Sequence, residues 1–204
     1  MIVIVDYGVG NLFSLTSSLH SIGVETITSG DIEVISRATK IILPGVGAFE
    51  DACQKLRDLG LDKVIISRAK EGVPILGICL GMQMLFDLSY EYGVHEGLGL
   101  ISGDVRPISE VISPSLKVPH IGWNALDFAK PSKLFRYIKS GDYVYFVHSY
   151  YATNCADSVI ATAEYGVPLT AAVERDNVYG CQFHPEKSGE VGLNILRAFC
   201  ELGE

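Results

Sequence analysis

The chain has 204 residues, 48% of them hydrophobic and 20% charged, with a formal net charge of −8. That length accommodates one sizeable core rather than two, and the composition is that of a globular chain rather than a disordered one. The acidic balance argues against a nucleic-acid surface, and no apolar run reaches the roughly 18 residues a bilayer span needs. Five cysteines (Cys53, Cys79, Cys155, Cys181 and Cys200) form no close pair and leave an odd one over. That pattern fits a reducing, cytoplasmic compartment and one reactive thiol better than a disulfide scaffold or a zinc site. The start, Met1 to Asp6, lacks the basic and small-residue features of a signal peptide and reads as a first strand.

Ile2–Val5 has the uniformly apolar pattern of a central strand and stops at the loop Asp6-Tyr7-Gly8-Val9-Gly10-Asn11. Gly-x-Gly without a third glycine is a weak dinucleotide signal. Asn11 can cap the following helix, in which Leu12, Leu15, Leu19 and Ile22 recur at helical spacing until Gly23. Val24–Ile27 reads as a second strand, Ile32–Ile35 as a helical turn, and Lys40–Leu43 as a third strand. This last runs into Pro44-Gly45-Val46-Gly47-Ala48-Phe49, a glycine-rich turn that can aim backbone N–H groups into a site. Phe49 to Leu59 and Leu61 to Lys70 read as helices divided by Gly60, with Gly72 as a stop.

The stretch Val73–Leu76 is a fourth buried strand, followed by Gly77-Ile78-Cys79-Leu80-Gly81-Met82-Gln83. A cysteine with glycines at both second neighbours, between a strand and a helix-prone segment, has the form of a nucleophile elbow. The turn is too tight for bulky neighbours and lifts the nucleophile above the sheet. Backbone N–H groups and the dipole at a helix start favour a thiolate there. Acyl transfer by Cys79 also needs oxyanion donors: the N–H of Leu80, and a second from the Val46-Gly47 turn. Met84 to Leu88 favours helix over other states. Strand and helix patterns alternate up to this point, which predicts an α/β fold with a doubly wound, mainly parallel open sheet flanked by helices.

Beyond it, Gly93, Gly97, Gly99 and Gly103 break the chain often, and Val105–Pro107 can form a short strand. Lys117 to Asn124 reads as a loop carrying the only tryptophan, Trp123. Tyr143–Val147 is an alternating strand that delivers His148-Ser149-Tyr150-Tyr151 at its end. Val159–Glu164, Thr170–Glu174 and Val178–Phe183 have the spacing of antiparallel pairing and predict an added β-layer. Gly189 to Leu202 is an amphipathic closing helix. With no linker or repeat, residues 1–204 read as a single domain.

A cysteine nucleophile needs a base, and the base needs an orienting group. His20 and His95 have surface surroundings, leaving His120, His148 and His184. His184 ends a strand in Gly180-Cys181-Gln182-Phe183-His184-Pro185-Glu186, where Pro185 stops the pairing. The period of two places His184 and Glu186 on one strand face, so that Glu186 can fix the His184 tautomer.

Gly-Ile-Cys-Leu-Gly-Met-Gln with a later His-Pro-Glu resembles the class I (triad) glutamine amidotransferases over essentially the whole chain. Asp6 to Leu12, Pro44 to Phe49, Pro119 to Asn124 and His184 to Ser188 resemble the branch of that family that serves histidine biosynthesis. The resemblance implies hydrolysis of L-glutamine by Cys79, with His184 as acid and base and Glu186 orienting it. It implies that Gln83 and Glu91 bind the amino-acid end of glutamine, and that His148, Ser149 and Tyr150 line the pocket. It further implies ammonia transfer to a (β/α)8-barrel cyclase subunit in a 1:1 heterodimer, with Trp123, Asn124, Tyr145 and Lys187 near the interface, and no metal or cofactor. A subunit feeding another synthase, a different cysteine hydrolase on a similar sheet, and a silent docking subunit are the alternative readings.

Overall fold

A computed structural model describes residues 1–203. The first half folds as β1 (Ile2–Val5), α1 (Leu12–Ser21), β2 (Thr26–Ser29), α2 (Ile32–Ser36), β3 (Lys40–Gly45), α3 (Phe49–Asp58), α4 (Leu61–Lys70) and β4 (Ile75–Cys79). The single-turn α5 (Leu80–Gln83) leads into β5 (Phe86–Ser89), β6 (His95–Glu96) and β7 (Ile101–Pro107). Then come β8 (His120–Ala125), β9 (Asp127–Phe128), β10 (Tyr143–His148) and β11 (Tyr150–Thr153). The chain closes with β12 (Val159–Glu164), β13 (Pro168–Arg175), β14 (Val178–Cys181) and α6 (Gly189–Cys200).

Eight strands form one mixed sheet in the order β2-β1-β3-β4-β14-β13-β12-β9. The five from β2 to β14 run parallel, and β13, β12 and β9 continue the sheet antiparallel. The α/β architecture is the expected one. The late strands extend the main sheet, and β14 lies parallel to β4 on one side while pairing antiparallel with β13 on the other. Two smaller layers stand beside it: the hairpin-like pair β8–β10, and the sheet β11-β7-β5-β6.

The inner parallel strands β1, β3 and β4 are largely apolar because both faces are covered, whereas the edge strand β2 is polar and partly exposed. Val3, Val5, Ile41, Leu43 and Ile75 pack on one side against Phe49, Leu56 and Ile65 of α3 and α4. The alternate residues Ile4, Ile42, Leu76 and Ile78 pack on the other side against Leu15 and Leu19 of α1 and Ile195, Leu196 and Phe199 of α6. Period-two alternation thus divides one sheet between two cores.

β2 begins at Thr26 rather than Val24 and β7 at Ile101 rather than Val105, and three further segments depart from the sequence expectation. Met84 to Leu88 is not helical, because α5 ends at Gln83 and β5 begins at Phe86. The Met84 carbonyl accepts from Leu98 N–H, and the Leu85 carbonyl from Leu100 and Ile101 N–H, so a distant segment supplies the backbone bonds a helix would have made. Gly97 allows the close approach, since a Cβ there would collide with the Phe86 carbonyl. Lys117 to Asn124 is a loop only as far as Pro119; His120 begins β8. Its outward residues Ile121 and Trp123 are 58% and 55% exposed, so the strand lacks the usual polar-out pattern. The last strand ends at Cys181, not at Phe183.

No helix among the described residues is long and apolar enough to cross a membrane.

Candidate active site

The cleft lies at the carboxyl ends of the parallel strands, where open α/β sheets carry their ligands. Cys79 is the last residue of β4 and the cap of α5, at φ 54 and ψ −111, a conformation that side chains rarely adopt. The flanking glycines follow from contact distances. A Cβ on Gly77 would lie 2.6 Å from the Gly81 carbonyl oxygen, and one on Gly81 would run into the Leu43 carbonyl. Because α5 is a single turn, its dipole is far weaker than that of a full helix, and local N–H groups carry what stabilisation the turn gives an anion.

Next to β4, β14 ends at Cys181 and the chain turns through Gln182 and Phe183 into a 3-10 turn, Pro185–Lys187. His184 and Glu186 therefore meet through that turn and not through a shared strand face. Pro185 as its first residue fixes the bend. His184 Nδ1 lies 2.8 Å from Glu186 Oε1, with the two side chains 3% and 4% exposed. The opposite edge of the imidazole is hydrogen-bonded to Cys79. Burial pulls the His184 pKa down, but hydrogen bonds to Cys79 and Glu186, with their charges, outweigh it and raise the pKa to about 9. The His184 peptide is anchored by its N–H to the Tyr145 carbonyl at 3.0 Å and by its carbonyl, which accepts the Ser188 hydroxyl at 2.6 Å.

The cleft has a volume of about 560 Å³ and opens over Cys79. Val46, Gly47, Leu80, Gln83, Glu91, His148, Ser149, Tyr150, His184 and Lys187 all line it. Val46 and Gly47 sit on the exposed rim, Gly47 at φ 97, just beyond the pairing of Gly45 with Cys79. Gly45 itself is hemmed in: a Cβ there would lie 2.9 Å from the Gly81 nitrogen and from the Tyr7 hydroxyl. Tyr7 Oη donates to the Pro44 carbonyl at 2.8 Å and ties the first loop to this turn.

Two lining residues are engaged inside the protein. The Glu91 carboxylate accepts the Phe49 N–H at 2.5 Å and caps α3, whose own cap residue, Ala48, has no side chain to do so. Gln83 Nε2 donates to the Tyr150 carbonyl at 3.2 Å and to Gln182 Oε1 at 3.0 Å. Trp123, Asn124 and Tyr145 are not cleft residues. They lie on the β8–β10 pair, where the Trp123 and Tyr145 rings meet edge-on at 6.0 Å.

The sequence reading missed Gln182 and gave His120 no role. Gln182 is fully buried, and its Nε2 lies 3.8 Å from Cys79 Sγ. A polar residue in an otherwise apolar strand end, directly before Phe-His-Pro-Glu, was the available signal. His120 stacks on Phe146 and Tyr165 and places Nδ1 3.0 Å from His148 Nε2. Because His148 Nδ1 must donate to the Tyr150 carbonyl at 2.8 Å, Nε2 of the neutral ring accepts and His120 Nδ1 donates. Burial holds the His148 pKa down at about 4 and lowers that of His120, so this pair is neutral near pH 7.

A thiol hydrogen-bonded to a histidine that a buried carboxylate orients, at the strand-end cleft of a doubly wound sheet, is the arrangement of a cysteine acyl-transfer enzyme. Residues 3–201 match the family model for glutamine amidotransferase class-I, and the chain belongs to that family. It is 50% identical over 201 residues to the imidazole glycerol phosphate synthase subunit HisH of Lactococcus lactis subsp. lactis (strain IL1403), covering 98% of each chain. It is 50% identical over 207 residues to the protein of the same name from Geobacillus sp. (strain WCH70), covering 100% of this chain and 98% of that one. Among solved structures, a glutamine amidotransferase superposes with a TM-score of 0.77 at 19% identity, over 98% of each chain. A chain of PurLQS from Thermotoga maritima superposes with a TM-score of 0.73 at 20% identity, over 98% of this chain and 96% of that one. These two likenesses are of fold.

Proposed function

We propose that this chain is the glutaminase subunit of an imidazole glycerol phosphate synthase, a cytoplasmic enzyme of histidine biosynthesis. In this reading residues 1–204 act as one type-1 glutamine amidotransferase domain. It hydrolyses L-glutamine to L-glutamate and ammonia and passes the ammonia to a (β/α)8-barrel cyclase subunit in a 1:1 heterodimer. There the ammonia enters the reaction that yields imidazole glycerol phosphate and an aminoimidazole carboxamide ribonucleotide. The observation that carries the chemistry is the buried 2.8 Å contact of His184 with Glu186 on one side and the hydrogen bond to Cys79 on the other. The choice of synthase is supported by full-length relatives of that name at 50% identity.

The proposed steps follow from that geometry. The Cys79 thiolate attacks the side-chain carboxamide carbon of glutamine, forming a C–S bond and an oxyanion. N–H groups of Leu80 and of the Val46-Gly47 turn face the developing negative charge. His184 gives its proton to the nitrogen, the C–N bond breaks, and ammonia leaves a glutamyl thioester. Neutral His184 then takes a proton from water as the hydroxyl adds to the thioester, and glutamate departs with return of the thiolate. Glu186 holds the imidazole and offsets its positive charge throughout. Gln83, Glu91, His148, Ser149 and Tyr150 form the glutamine pocket. Since both N–H groups of Gln83 are engaged, it contributes its side-chain oxygen to the substrate. Trp123, Asn124, Tyr145 and Lys187 face the cyclase.

Glutamate release tests this reading in three mixtures: the chain alone, the chain with an imidazole glycerol phosphate cyclase subunit, and both with the nucleotide substrate. Stimulation by the complete mixture is the expected result. Equal rates in all three would remove the synthase assignment, and no release in any would remove the glutaminase.

A further inference from the structure

The geometry points to Gln182 as a positioning residue for the nucleophile, the second donor beside His184 to the Cys79 sulfur. This inference rests on Cys79 being the attacking group. Gln182 follows β14 directly, is 0% exposed, and has its peptide N–H fixed to the Ala171 carbonyl at 2.8 Å. Its side chain reaches Cys79 Sγ through Nε2 at 3.8 Å, within the longer range that hydrogen bonds to sulfur take.

The direction of that contact is imposed by a chain of partners. The Tyr150 carbonyl can only accept, so the Gln83 atom 3.2 Å from it is the amide nitrogen. The other N–H of Gln83 then points to Gln182 Oε1 at 3.0 Å, which leaves Gln182 Nε2 turned to the sulfur. His148 Nδ1 occupies the second lone pair of the same carbonyl at 2.8 Å. A flipped Gln182 would set its oxygen against the sulfur and its nitrogen against the Gln83 nitrogen, losing two hydrogen bonds in a dry site. An N–H held on sulfur favours the thiolate over the thiol and fixes where its lone pairs point. In the thioester the sulfur carries no negative charge, so the same contact weakens on acylation and is restored when the thiolate leaves.

The titratable groups that bear on the sulfur are His184 from the His-Pro-Glu turn and Tyr7 from the first loop. Glu186 and His148 act on it through His184. None of these is altered by substitution at Gln182, so a change in thiolate formation reports on the amide.

The test is the rate of iodoacetamide alkylation at Cys79 as a function of pH, read by peptide mass, in the complex with the cyclase subunit. Gln182→Met removes the donor at similar volume and raises the midpoint by roughly one pH unit. It lowers kcat for glutamate release roughly 10-fold with KM within about twofold. Gln182→Glu keeps the shape and the contact with Gln83, sets an oxygen against the sulfur, and raises the midpoint further. Gln182→Leu, which also lacks a donor and adds no charge, decides the matter if the Met variant does not fold. An unchanged midpoint in a folded variant overturns the inference even if kcat falls, because a purely structural role would slow turnover without moving it. Absence of glutamate release by the wild-type complex would instead remove Cys79 as the attacking group.

Discussion

His184 and Glu186, two residues apart on a 3-10 turn, make a 2.8 Å Nδ1–Oε1 contact with both side chains almost fully buried. The carboxylate holds Nδ1–H and so orients Nε2 toward Cys79, and it helps keep the imidazole charged up to about pH 9. Glu186→Gln keeps the shape and removes the charge. It is expected to lower the His184 pKa and to reduce kcat/KM for glutamine hydrolysis at least 100-fold. Histidine NMR titration and steady-state kinetics on one preparation check both.

The neutral histidine pair gives stability a pH dependence on the acid side. Burial, opposed by the hydrogen bond to Tyr150 and assisted by the charges of His120 and His184, puts His148 at about 4 against about 6.5 for a free imidazole. The unfolded chain therefore binds the proton first, and stability falls as pH drops from about 6.5 toward 4. The His148 contribution is on the order of 3 kcal/mol. His184 has the opposite sign: its contribution is complete below about 6.5 and is lost as pH rises through about 9. Urea midpoints at pH 5, 7 and 9.5 should peak near neutrality, and His148→Gln should flatten the acid limb.

Backbone strain at Cys79 separates function from stability. At φ 54 and ψ −111 a glycine is unstrained whereas an alanine is not. Cys79→Gly should unfold at higher temperature than Cys79→Ala, by about 1 kcal/mol in stability, with both inactive toward glutamine. Gly81→Ala should fail to accumulate as folded protein, because its methyl meets the rigid Leu43 carbonyl.

Much of this was legible in the residues. Both glycines of the elbow are demanded by contacts the motif implies, and the alternation of Val3, Ile4 and Val5 between two cores follows from a buried parallel strand. What was not legible depended on distant partners. Met84 to Leu88 has helical composition, yet the segment around Leu98 and Leu100 takes its carbonyls. His120 and Trp123 share a short stretch, but only pairing with β10 sets them on opposite faces of a strand. Gln182 shows in sequence as one polar residue. Its meaning comes from Gln83, Tyr150 and Cys79, which lie some 30 to 100 residues away.

Trp123 is 55% exposed and rests edge-on against Tyr145, the residue whose carbonyl holds the His184 peptide. On the proposed cyclase interface, Trp123→Ala should leave the chain folded and weaken association with the cyclase subunit roughly 10- to 100-fold, the loss typical of an aromatic anchor. Calorimetric titration against the cyclase, with thermal unfolding of the free chain as control, checks this.

The most direct measurement is imidazole glycerol phosphate formation by the complex of cyclase and Cys79→Ala chain, with glutamine or with an ammonium salt as nitrogen source. Loss of the glutamine-dependent reaction with retention of the ammonia-dependent one is the expected result. Full glutamine-dependent synthesis by the Cys79→Ala complex would contradict it.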